Sequence, residues 1–231
     1  MGRGAKAGGE AGYKSFVELT AGFAAAKPSI PRDAEVELVR SAWEHSLAAA
    51  ERNNNPGTFS AFIGYEWTQS VKGNNLHRTV VFRDGAERVK ATLPFSEFES
   101  TDPMALWRYL TEYESKTGGR VLTIPHNPNL SCGLMFAPET ETGKPFDTEY
   151  AEMRSRFDRI AEVTQSKGDS ETTPELSPDD QFADFERWNK ANIFGLIATT
   201  PEMLRYNYVR SALKRAWCTR VSWVSTRSSW V

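Results

Sequence analysis

Apolar residues recur along this chain with two different periods. Between Arg32 and Asn53, the residues Val36, Val39, Trp43 and Leu47 fall three and four positions apart, which predicts a helix with one inward face. The run Asn53-Asn54-Asn55-Pro56-Gly57 ends it. A shorter helical pattern covers Tyr13 to Ala26, with Phe16, Val17, Leu19 and Phe23, before Pro28 and Pro31 break it. A third helix is expected from Pro103 to Lys116, placing Leu106, Trp107, Leu110 and Tyr113 inward and stopping at Gly118-Gly119. Tyr150 to Phe157, Phe182 to Trp188 and Pro201 to Arg215 also read as helical.

Between these lie short, mostly apolar runs. Phe59 to Trp67 reads as a buried strand. His77 to Arg83 gives a second strand, Val121 to Ile124 a third, and Ile160 to Thr164 a fourth. The polar stretch 166–181, with its prolines, predicts a long loop. Strands alternating with helices predict an α/β fold with parallel pairing and right-handed crossovers. An α/β barrel and an open α/β sheet both satisfy that pattern. No internal repeat is present.

A length of 231 residues fits one α/β domain or part of a larger one, and the apolar share of 39% is that of an ordinary globular chain. The net charge of -2 gives no reason to expect a nucleic-acid or acidic-membrane partner. Two cysteines, Cys132 and Cys218, are too few for a disulfide framework or a thiolate metal site. No run of about 18 apolar residues predicts a spanning helix. The opening MGRGAKAGGEAGYKSF has no apolar core of a signal peptide, so the chain as written reads as cytoplasmic, or as exported should its true start be missing. Residues 1–12, rich in Gly and Ala, are expected to be unstructured, and 13–215 to form the folded part.

Candidate chemistry follows from where strands end. In parallel α/β folds, ligand groups collect at the C-terminal ends of strands. There the first strand has Glu66, the third has His126 and Asn127, and the fourth has Glu162 followed by Gln165. A carboxylate and an imidazole converging from different strands suit a hard or borderline divalent cation. His77 and Arg78, at the start of the second strand, could reach the same mouth. Each has a plainer reading. Glu66 could simply pair with Arg78 or Lys72, His126 could cap a turn, and His45 lies on the polar side of its helix. No Gly-rich phosphate loop, Cys-x-x-Cys, His-Glu-x-x-His or nucleophile elbow occurs.

Three longer stretches are more specific than any single residue: FIGYEWTQSVKGNNLHRTVVFRD at 62–84, GGRVLTIPHNPNLSCGLMF at 118–136, and EVTQSKGDSETTPELSPDDQFADFERW at 162–188. Together they resemble the central part of DUF3604 proteins, from about residue 30 to 215. That family in turn resembles the polymerase-and-histidinol-phosphatase (PHP) class of metal-dependent hydrolases. The resemblance implies a partial, distorted (β/α)7 barrel with parallel strands and surrounding helices. It implies a divalent metal, zinc, manganese or iron, in intact relatives, and a small-molecule ester or phosphoester as substrate. On this chain it assigns Glu66, His77, His126 and Glu162 as metal ligands. Arg78, Asn127, Gln165 and Lys167 become substrate- or anion-binding residues, with Glu171 in the same segment.

The departures from the family pattern are concentrated at the ends. The family's opening His-x-His, its Asp-His dipeptide and its closing Asp-x-His are absent from this chain. Cys132 stands where the family pattern has Asn, and Thr173 where it has His. The last 15 residues, WCTRVSWVSTRSSWV, hold three tryptophans and four serines and fit neither a helix end nor a strand. Trp223 to Val231 can be encoded as TGG GTG TCA ACC CGT TCA AGC TGG GTG, which from its third base reads Gly-Val-Asn-Pro-Phe-Lys-Leu-Gly, the segment the family carries there. Residues 216–231 are therefore expected to be a frame-shifted tail. With end ligands missing, weak or absent metal binding, little activity, and self-association through open strand edges are expected.

Overall fold

The structure is a computed structural model, and it describes residues 10–12, 14, 32–140, 143 and 145–215. The expected tail and most of the Tyr13–Ala26 helix lie outside the described residues. The elements in chain order are α1 (Arg32–Asn53), β1 (Ile63–Trp67), β2 (Arg78–Phe82), α2 (Ala86–Val89), α3 (Pro103–Thr117) and β3 (Val121–Pro125). They continue with α4 (Thr148–Phe157), β4 (Thr164–Gln165), β5 (Gly168–Asp169) and α5 (Pro201–Asn207). A last helical stretch covers 209–215. Among the described residues no helix is long and apolar enough to cross a membrane.

The expected parallel barrel is not what the strands build. β1, β2 and β3 form one sheet in that order, and β4 and β5 pair as a two-residue antiparallel hairpin, Thr164 with Asp169 and Gln165 with Gly168. β2 and β3 run antiparallel. Arg83 N–H donates to the Arg120 carbonyl at one end of the pair and His126 N–H donates to the His77 carbonyl at the other. The physical reason lies in the connections. A parallel crossover needs a dozen or more residues, usually a helix. The link from Trp67 to Arg78 contains only a three-residue helical turn, Val71–Gly73, in which Lys72 takes a left-handed conformation (φ 54°). The link from β2 to β3 carries helices but brings the chain back to the end it left.

Two compact units are present. The first comprises the described residues up to Gly73 together with Thr79–Thr123. Its core joins α1, the sheet and α3 through Trp43, Leu47, Ile63, Trp67, Val80, Phe82, Leu106, Trp107, Leu110 and Tyr113. All four α3 residues expected to face inward do so, each burying on the order of 2 kcal/mol of apolar surface. Phe82 meets Tyr113 edge-on at 5.0 Å, and Trp43 meets Tyr65 edge-on at 5.9 Å. β1 is not the uniformly buried strand that its composition predicts: Ile63 and Trp67 are buried, while Gly64 and Glu66 are exposed. Gly64 has a packing reason, since a Cβ there would sit 2.5 Å from the Val80 carbonyl oxygen. α3 begins at Asp102, whose carboxylate accepts from Met104 N–H at 2.9 Å, has Pro103 in its first turn, and ends on the left-handed Gly118.

The second unit comprises Asn74–Arg78 and the described residues from Ile124 onward. It has few regular elements, so buried side-chain amides satisfy much of its backbone. Asn129, fully buried, donates to the carbonyls of Lys167 (3.0 Å) and Trp188 (2.7 Å) and accepts from Ser170 Oγ (2.8 Å). Asn207, also fully buried, accepts from Ser131 Oγ and Gly133 N–H and donates to the Asn129 carbonyl. Three expected elements change here. Ile160–Thr164 is not a full strand, and only Thr164–Gln165 pairs. Phe182–Trp188 is a series of turns, because Phe182, Phe185 and Trp188 are each more than half exposed and, among the described residues, no surface covers their apolar face. Pro201–Arg215 is interrupted at Tyr208, which is extended (φ -118°, ψ 137°).

Candidate metal-binding site

His77 immediately precedes β2 and His126 immediately follows β3, so the antiparallel register sets them opposite one another. Cross-strand neighbours of this kind share a face of the sheet. The two rings meet edge-on, centroids 5.7 Å apart at 77°. Both are buried, at 4% and 5% exposure. His77 is held at each end of its backbone: its N–H donates to Asn75 Oδ1 (2.8 Å) and its carbonyl accepts from His126 N–H (3.3 Å). Asn75 is held in turn by its own N–H, which donates to the Leu130 carbonyl. His126 Nδ1 lies 3.4 Å from the Ile124 carbonyl.

Asn127 follows directly and adopts a left-handed conformation (φ 48°, ψ 48°). Its side chain is 1% exposed, and neither amide atom has a hydrogen-bond partner. A buried amide left so costs about 1–3 kcal/mol, and strained backbone of this kind collects at ligand sites. Glu162 reaches the same end of β3 through its backbone, its N–H donating to the Pro125 carbonyl at 3.0 Å. One of its carboxylate oxygens, Oε1, is buried without a partner. Thus the structure brings His77 and His126 together, with Asn127 and Glu162 attached by the chain or by a backbone bond to the residues around His126. Glu66 lies on the exposed face of β1 in the first unit.

Arg78 is not placed as an anion clamp. Its guanidinium is 1% exposed and forks onto Asp158, with Nε to Oδ1 and Oδ2 (both 3.2 Å) and Nη2 to Oδ2 (3.1 Å). Nη1 donates to the Leu76 carbonyl at 2.8 Å. A charge this deeply buried requires a charged partner, and Asp158 supplies it. Gln165 is half-buried in β4, and Lys167 is in the hairpin turn, its carbonyl accepting from Asn129. Glu171 pairs with Arg210 at 2.5 Å, and the same guanidinium reaches Asp180 at 2.6 Å. Hydrogen bonding from Arg210, and from the Phe182 N–H, holds the Asp180 carboxyl below its ordinary range. His45 is exposed, with Nδ1 2.7 Å from the Ser41 carbonyl, as its polar helix face predicts.

Asn75 and Asp158 are the residues that sequence reasoning missed. Asn75 could have been flagged, because Asn two positions before a residue commonly accepts from its N–H. Asp158 is 80 positions from Arg78 and no local pattern connects them. At the two departures from the family pattern, Thr173 is fully buried and hydrogen-bonds Glu175, which Arg187 pairs at 2.7 Å. Cys132 is buried in a left-handed conformation (φ 48°), its Sγ 3.5 Å from the Ile197 carbonyl and 3.8 Å from Thr199 Oγ1. Burial pushes its thiol pKa up.

Comparison with known proteins gives one family. Residues 8–221 match the family described as "Protein of unknown function (DUF3604)". No curated protein and no solved structure matches the chain. Because the match spans nearly the whole sequence, including the strands that carry His77 and His126, the chain belongs to the DUF3604 family.

Proposed function

We propose that His77 and His126 hold a divalent cation, zinc, manganese or iron, and that the family's chemistry is hydrolysis of a small ester or phosphoester. The observation that carries this reading is the buried His77–His126 ring pair at the end of the antiparallel ladder. Each imidazole offers one ligand nitrogen of the type such cations take. Paired imidazoles suit a borderline transition metal better than calcium or magnesium, which prefer all-oxygen sites. The partnerless buried oxygen of Glu162 supports it as a further ligand.

When bound, such a cation polarises an ester or phosphoryl oxygen and makes water acidic enough to serve as a nucleophile near neutral pH. The chain's own residues supply the rest. His126 would hold the cation through a ring nitrogen, with Nδ1 lying 3.4 Å from the Ile124 carbonyl. Asn127, with a free donor and a free acceptor, orients a polar substrate group beside it. Gln165 and Lys167 remain proposed as outer contacts to the substrate. The two outer strands of the three-stranded sheet, β1 and β3, are the proposed edges for self-association.

Manganese and zinc titrations of the chain by calorimetry, with elemental analysis after dialysis, test the reading. His77→Ala and His126→Ala should each reduce affinity at least tenfold. Equal binding by the double variant and the unaltered chain, or no binding by either, would remove the metal reading. That result would leave a non-catalytic binding module as the function.

A further inference from the structure

The Arg78–Asp158 ion pair is deeply buried, with side chains 1% and 3% exposed. Removing two charges from water costs roughly what their attraction returns, and apolar residues of the same volume commonly stabilise a fold as well or better. Stability alone therefore does not account for the pair. What distinguishes it is direction. A guanidinium is a rigid planar fork, so two partners on different edges fix its plane. Here one edge is fixed by Asp158, the residue that ends α4 and has a further contact from Arg154 at 3.9 Å. The other edge holds the Leu76 carbonyl.

Leu76 and Arg78 are the two neighbours of His77. The Arg78 side chain thus folds back across its own backbone and grips the residue on the far side of the histidine. The His77 N–H is tied to Asn75 and its carbonyl to His126. The peptide units on both sides of His77 are accordingly fixed, and an anchor at the end of α4 sets where they point. A ligand imidazole displaced by about 1 Å loses most of its value, which is why supporting contacts matter nearly as much as the ligands themselves.

We propose that the Arg78–Asp158 pair is a positioning device for His77, coupling the C-terminal end of α4 to the geometry of the His77–His126 pair. This rests on the reading of His77 as a metal ligand. It departs from the expectation that Arg78 binds substrate anions, because the guanidinium faces Asp158 and Leu76.

The test uses the full chain and the variant Arg78→Met/Asp158→Leu, which replaces the pair by apolar residues. Arg78→Lys, which keeps the charge and loses the fork, is the second variant and carries the same comparison should the first fail to fold. Three quantities are read: the urea midpoint, Co(II) affinity and visible spectrum, and amide hydrogen exchange at His77 and His126 without metal. The expected result is a near-unchanged urea midpoint with Co(II) affinity down at least tenfold and an altered cobalt spectrum. Exchange at the His126 amide should rise at least tenfold. Co(II) affinity within twofold of the unaltered chain overturns the proposal, and so does lost affinity with unchanged exchange. If the unaltered chain binds no cation, exchange alone decides. Faster exchange keeps the positioning role and removes the metal reading, whereas unchanged exchange removes the positioning role.

Discussion

Cys132→Asn should stabilise this protein although it places a larger, more polar side chain in a buried position. Cys132 has φ 48°, a left-handed conformation that costs an ordinary L-residue about 1–2 kcal/mol. Asn is several-fold enriched in that region, so part of this cost is relieved by the substitution. The Cys132 sulfur already lies 3.5 Å from the Ile197 carbonyl and 3.8 Å from Thr199 Oγ1. An amide in its place can donate to the first and accept from the second, and each such bond contributes about 1 kcal/mol net. Against this stands the desolvation of the amide at a position 5% exposed, of similar size to one of those bonds. The balance is a gain of about 1 kcal/mol, or roughly 2–4 °C in Tm for a protein of this length. Urea denaturation at unchanged m-value is the assay, with Cys132→Ser as the control that keeps a hydroxyl but loses the amide's reach and left-handed preference. A loss of stability for Cys132→Asn, or equal values for the two variants, would refute the reasoning. The position is also one where the family pattern carries Asn.

Three further predictions concern the first unit. Burial pushes the Asp84 carboxyl up, but donation from the Arg120 N–H, Arg88 and Tyr113 more than offsets this, and its pKa lies below the ordinary carboxylate value. A depressed folded pKa contributes stability above the unfolded pKa and loses it as pH falls through the folded one. Asp84→Asn should therefore flatten the acid limb of the urea-midpoint curve below about pH 4, and an unaltered slope there would remove the assignment. Tyr113 is raised to about 12, by burial first and then by Asp84, so stability should decline as pH rises from about 10 towards that value. Tyr113→Phe should abolish that alkaline decline in a circular-dichroism pH titration. Gly64→Ala drives a methyl group to within 2.5 Å of the Val80 carbonyl in the central strand, and should cost about 1–3 kcal/mol by thermal melt. A melt unchanged within error would show that the strands separate more easily than their packing implies.

Much of the first unit was legible residue by residue. The helical spacing of Leu106, Trp107, Leu110 and Tyr113 named the buried face of α3, and Asp102, Pro103 and Gly118 marked its ends, because caps and periodicity are local signals. The strands at 63–67, 78–82 and 121–125 were legible to within a few residues. Their direction was not. Helix–strand alternation predicts parallel crossovers, but whether a connection crosses over or returns depends on where its ends dock, which no window of sequence contains. The helix expected at 182–188 failed for a related reason. Its apolar residues have the right period, but Phe182, Phe185 and Trp188 have no partner surface among the described residues. A short helix forms chiefly through burial of one face, and here the three large apolar side chains stay exposed.

The site divides along the same line. The sequence by itself singled out Glu66, His126, Asn127, Glu162 and Gln165 at strand ends, with His77 and Arg78 within reach of them. Only the tertiary structure set the two histidines opposite each other, through the antiparallel register that sequence reasoning had wrong. Only the tertiary structure moved Arg78 from a substrate contact to the buried partner of Asp158. The physical reason is one of range. Propensity, capping and turn chemistry act over a few residues and can be read along the chain. The pairing of a charge with its counter-charge, or of one imidazole with another, is decided by which distant segments packing brings into contact.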